Sequence, residues 1–172
     1  EDEARLAAAA LAVEGDLPVV LQAPALPEAA AARIDVDFWT AAIGAKVCGT
    51  WLPNAPAAGL ETGVHSHGDG LVYVHPFHDD EAGDKATLGL FLDRGGWKAS
   101  ADRLQLWDGV EHRAGATCPD GRVAQVRWWV DGVEQHGDPA AFLPRNGQVI
   151  VLSFDADPAA PGAPPQMAAL YL

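Results

Sequence analysis

Four of the six histidines fall between residues 65 and 78, in the run Val64-His65-Ser66-His67-Gly68-Asp69-Gly70-Leu71-Val72-Tyr73-Val74-His75-Pro76-Phe77-His78. A neutral imidazole offers a lone pair suited to Zn or Cu, so this density points to cation binding. On an extended strand His65 and His67, two residues apart, project from one face. Turn length decides whether His75 joins them. A two-residue turn at Gly68-Asp69 or Asp69-Gly70 sets His65 and His67 on the face of Val72 and Val74 and turns His75 the other way. A three-residue loop, Gly68 to Gly70 with a left-handed glycine, places His67 opposite Leu71, His65 opposite Tyr73 and His75 on the same face. Only the second register allows a site of His65, His67 and His75 holding Cu or Zn. The competing reading is a hairpin whose imidazoles bond to backbone, acid or water, with Asp69 as a turn former.

Other chemistry-bearing residues are weaker candidates. Ser66 lies in no GxSxG elbow and points away from both neighbouring histidines on a strand, which argues against a hydrolase. Asp79, Asp80, Glu81 and Asp84 lack EF-hand spacing and read, with His78, as a solvated loop. His112 and His136 read as loop residues. Cys48 and Cys118 have no CxxC spacing, which leaves either a disulfide or two buried thiols. A disulfide closes a loop of about 70 residues, for which chain entropy assigns ~4 kcal/mol. Trp128-Trp129 puts one indole on each face of a strand, so one is expected in the core and the other at a protein interface.

Val64 to Phe77, with Ala82-Gly83-Asp84-Lys85-Ala86-Thr87-Leu88-Gly89, resembles a family of actinobacterial extracytoplasmic domains often found behind an N-terminal membrane helix. The pattern of that family is of the form IHTHGDGLIHIHPF followed by AGxNATLGxF. The likeness extends upstream to Asp37-Phe38-Trp39-Thr40-Ala41-Ala42-Ile43-Gly44 and Cys48-Gly49, where the pattern reads DHWHAAxG and CG, and it covers about residues 35 to 155. The resemblance implies export and a tethered domain and names no activity. Phe38, Thr40 and Tyr73 stand where the pattern has histidine, while His65, His67 and His75 are kept, so any metal site implied by the family is reduced here.

The elements that must hold these residues follow from turn signals. Asp69-Gly70, Asp108-Gly109, Asp120-Gly121, Asp131-Gly132 and Asn146-Gly147 separate short apolar runs, a hairpin signature. The runs are Leu71 to His75, Arg103 to Trp107, Val123 to Val130 and Gln148 to Phe154. Thr87 to Arg94, ended by Gly95-Gly96, suits a helix packing through Leu88, Leu90, Phe91 and Leu92. Asp138 to Leu143 suits a short helix or turn. The expected fold is α+β, a mainly antiparallel sheet with one packed helix, analogous at its C-terminal end to half a β-grasp. Residues 1–34 read as an N-terminal arm with a helix over 1–15, residues 35–155 as the compact domain, and residues 156–172 as a Pro-rich tail running extended over the surface.

The chain has 172 residues and a formal charge of -13, from 11 Lys plus Arg against 24 Asp plus Glu. That balance repels phosphate backbones and excludes nucleic acid as a partner. No run reaches the roughly 18 apolar residues of a membrane span. The sequence starts at Glu1 and not at Met, so an upstream segment is expected to have been removed; few lysines, many Asp and Gly and a Pro-rich tail read as an extracytoplasmic chain, tethered through that segment. Three functions follow in order of preference. The first is a non-enzymatic accessory or interaction subunit of a membrane-associated assembly. The second is a Cu- or Zn-binding protein using His65, His67 and His75, and the third is a metal-dependent hydrolase, disfavoured because the motif lacks a carboxylate base.

Overall fold

The structure is a computed structural model and describes residues 33–34 and 37–165. The helix expected over residues 1–15 of the arm, and the end of the tail, lie outside the described residues.

In chain order the strands are β1 (Trp39–Val47), β2 (Thr50–Trp51), β3 (Val64–His65) and β4 (Leu71–Val74), followed by helix α1 (Leu88–Arg94). Then come β5 (Lys98–Ala99), β6 (Arg103–Gln105), β7 (Glu111–Arg113), β8 (Gln125–Val130), β9 (Val133–Gln135), a 3-10 turn at Pro139–Ala141, and β10 (Val149–Asp155). The main sheet runs β3-β4-β1-β10-β8-β9, with β2 folded back on β1; β5, β6 and β7 form a second, antiparallel sheet. The α+β class with a mainly antiparallel sheet and one packed helix therefore holds. The central pair, β1 and β10, is parallel, in register from Ala42 opposite Val149 to Val47 opposite Phe154. A parallel pair needs a long crossover, and here everything from β2 to β9 supplies it.

Strand β1 is the element the sequence hides. Its run Ala41-Ala42-Ile43-Gly44-Ala45 has little β propensity, yet all five residues are buried. Small side chains are needed because both faces are covered closely. Ala41, Ile43 and Ala45 meet Val72, Ile150, Leu152 and Trp128, with Leu88, Phe91 and Leu92 of α1 in the same core. On the opposite face a Cβ on Gly44 would sit 2.7 Å from the Pro164 Cβ.

Helix α1 is set by its ends. Thr87 accepts from the Leu90 amide at 3.1 Å as N-cap, and the Gly95 amide closes back on Leu92 at 3.0 Å, as the Thr and Gly-Gly boundaries predict. At Asp131-Gly132 both residues have positive φ, 50° and 79°, the two-residue turn that matches strand twist. The Asp131 carboxylate also accepts the Val149 amide at 2.8 Å, tying this turn to the start of β10. Cys48 and Cys118 form a disulfide with Cα atoms 5.6 Å apart, joining the β1–β2 turn to the segment between β7 and β8.

Two surface assignments change. Trp128 and Trp129 are both buried, Trp129 at 3% exposure, so neither indole forms a free interface. Trp128 lies in the core and donates to the Gly137 carbonyl at 3.2 Å. Trp129 lies on the opposite face, where the tail covers it: Ala160 to Ala163 and Trp129, Val149 and Val151 wall a cleft of about 370 Å³. The tail is thus a strap on the sheet, with Pro164 buried. Apolar area on a sheet's second face must be covered by something, and this chain uses its own C-terminal segment.

Candidate functional site

The strap covers one half of the second face of the main sheet, and the histidines occupy the other. Strand β3 pairs β4 with Val64 opposite Val74 and His65 opposite Tyr73. That is the register of the three-residue Gly68 to Gly70 loop, and both glycines take φ of 87°. Strand β3 is only two residues long, so His67 lies beyond it; Ser66 instead bridges to Ala58. Ser66 is buried, donates to the Ala55 carbonyl at 3.4 Å and accepts the Gly68 amide at 3.1 Å. These bonds shape the loop.

His65 and His67 come together. Their Nε2 atoms are 3.2 Å apart, with rings nearly perpendicular. The His65 Nδ1 lies 2.7 Å from the Thr62 carbonyl oxygen, which can only accept, so Nδ1 carries the proton and the neutral ring has its lone pair on Nε2. Burial holds the His65 imidazole below its usual value of 6.5, with the Thr62 bond opposing and the other histidines adding a smaller push in the same direction. Buried imidazoles resist charging. His65 is 7% exposed, while His67 is open to solvent.

Tyr73 organises the pair. Its ring stacks on His65 at 5.3 Å and 3°, and meets His67 edge-on at 4.5 Å. The phenol donates to the Asp69 carboxylate at 2.6 Å, and that bond pushes its pKa up to about 12. Asp69 also accepts the Leu71 amide at 3.2 Å, so it is a turn former that doubles as an anchor for Tyr73.

His75 is held elsewhere. Its ring packs edge-on against Phe38 at 5.6 Å and against Phe77 at 4.8 Å, and Phe38 reaches Tyr73 at 6.2 Å. Among the described residues no three His, Cys, Asp or Glu side chains gather as a group able to hold a metal ion. The six-residue patch therefore has two halves: an imidazole pair, and an aromatic rim in which Phe38 is 62% and Phe77 37% exposed.

One residue assigned to the solvated loop belongs underneath the site. Glu81 is 2% exposed. Its Oε2 accepts the Gly63 amide at 2.9 Å and the Phe77 amide at 3.2 Å, and Arg94 of α1 approaches Oε1 at 3.4 Å. It thereby pins both outer ends of the histidine hairpin, just before β3 and just after β4. Gly63 must lack a side chain, because a Cβ there would lie 2.6 Å from the same carboxylate. An acidic run conceals such a residue, since nothing in the sequence separates Glu81 from Asp79 and Asp80, which are exposed. His112, expected in a loop, lies in β7; it bonds to Asp108 at 2.7 Å and stacks on Phe154 at 5.1 Å.

Compared with known proteins, this chain matches no family model, no curated protein and no solved structure.

Proposed function

We propose that this chain is a non-enzymatic extracytoplasmic module, an interaction subunit of a membrane-associated assembly, tethered through an N-terminal segment. On this reading it docks a protein partner through the aromatic rim of Phe38, Tyr73, His75 and Phe77. The observation that carries the proposal is Phe38, a large ring left open to solvent yet packed against His75 and next to Tyr73. Exposed aromatic clusters with a polar border are the usual mark of a docking surface. Exposed Asp79 and Asp80 follow Phe77, and the whole chain carries -13, so the fitting partner presents basic residues around an apolar contact.

Three further observations support this reading. The Cys48–Cys118 disulfide suits an oxidising compartment. The strand order β4-β1-β10-β8 with a parallel centre and α1 on one face supports a β-grasp-like core. The positions that depart from the resembled family pattern also converge: Thr40 lies opposite Tyr73 in the ladder, and Phe38 touches Tyr73 and His75. Their convergence is what a single shared site in that family requires.

A photo-crosslinking residue placed at position 38 in the full chain, in its native membranes, tests the proposal. Position 133, 63% exposed on β9 at the far edge of the sheet, is the control. The expected result is one discrete protein adduct from position 38, weakened by Asp79→Lys with Asp80→Lys and absent from position 133. Adducts equal at both positions, or only to lipid or to a second copy, would overturn it.

A further inference from the structure

We infer that His65 and His67 form a two-nitrogen site for a borderline transition cation, Cu²⁺ or Zn²⁺, with His75 outside the coordination shell. The inference does not depend on the docking proposal, since the ring nitrogens of His65 and His67 carry it and only Tyr73 is shared with the aromatic rim.

Geometry carries it. A tetrahedral cation with metal–nitrogen distances of about 2.0 Å holds two ligand nitrogens about 3.3 Å apart; the two Nε2 atoms stand at 3.2 Å. The Thr62 carbonyl fixes the proton of His65 on Nδ1, leaving Nε2 as the free donor. A backbone carbonyl on the other ring nitrogen is the usual outer partner of a ligating histidine, since it sets both tautomer and ring angle. Tyr73 packs against both rings, and its hydroxyl is committed to Asp69, which makes it a wall and not a ligand. Glu81 fixes both ends of the hairpin from below. The pair is therefore set in place before a cation arrives.

Without a cation, the neutral His67 ring donates its Nε2 proton to the His65 lone pair. On binding, that proton moves by way of water to Nδ1 of His67, a residue open to solvent, and both Nε2 lone pairs face the cation. No net proton need leave the site, and the His67 side is open to solvent, so water or a donor from a partner fills the remaining positions. Imidazole pairs suit Cu²⁺ and Zn²⁺ and are poor ligands for Ca²⁺ or Mg²⁺.

Calorimetric titration of the untagged full chain with Zn²⁺ alone, and electron paramagnetic resonance with Cu²⁺ alone, test the site. One equivalent should bind, and the Cu²⁺ spectrum should show two coupled nitrogens. His67→Ala, at an exposed position, should raise Kd at least tenfold, and so should His65→Gln. His75→Ala and His136→Ala should leave Kd within twofold. Absence of saturable binding, retained affinity in His67→Ala, or a tenfold loss in His75→Ala would each overturn the assignment. Phe38→Ala should leave Kd unchanged, so failure here and failure of the docking proposal are told apart.

Discussion

The two faces of the main sheet are built on different principles. On the face toward α1, Val72, Val74, Ile43, Ile150, Leu152 and Trp128 come from four strands and meet a capped helix. On the other face, half is covered by a proline-rich strap over Gly44, Val151 and Trp129, and half carries His65, Tyr73 and their neighbours. A face closed by many elements is a core. One closed by a single strap, next to polar rings in partial contact with water, is where a protein can place a binding site without weakening its centre.

The largest difference should appear on one strand. Leu152→Ala on β10 removes a fully buried side chain from the α1 core and should cost about 3 kcal/mol in denaturant unfolding. Its neighbour Val151→Ala, facing the strap cleft, should cost less than about half of that. Equal costs would mean that the strap packs as tightly as the core. Gly44→Ala should have an intermediate effect of about 1–3 kcal/mol, because the new methyl meets Pro164 and Trp51. Limited proteolysis should then cut between residues 158 and 163 at a protease level that spares the native chain; unchanged resistance would show that the strap tolerates the methyl.

The smallest effect is set by pH. Burial keeps the folded-state pKa of His65 below 6.5, so the unfolded chain takes up a proton where the folded chain still refuses it. The stability tied to neutral His65 is complete above about pH 6.5 and declines as pH falls from there toward the lowered folded value. Below that value both states are charged and the loss is constant. Thermal midpoints measured from pH 5 to 8 should therefore rise more steeply with pH for the native chain than for His65→Gln. Parallel curves would remove imidazole burial as the cause.

How much of this was legible depended on whether the signal was local. The caps of α1, the Asp-Gly turns and a strand within the run Val123 to Val130 are written in neighbouring residues, and the structure has them. The register of β3 on β4 was one of two possibilities, and the pairing of His65 with Tyr73 decides it. Strand β1 was not legible, because its small residues answer to close packing by segments more than a hundred positions away. Trp129 was half legible: the second face was inferred, but its cover is the tail and not a partner. Glu81 could not be picked out, since what buries it is a backbone approach at Gly63, eighteen residues earlier.

The parallel pairing of β1 with β10 has a mechanical meaning. The chain enters the sheet at Trp39 and leaves it at Asp155, at opposite ends of two strands that run side by side for six register pairs. Tension applied to the domain through its two flanking segments would therefore slide β1 along β10 and load the bonds between them together, instead of peeling them apart one at a time. If a tether pulls on one side and a bound partner on the other, the centre of the sheet acts as a clamp against that pull.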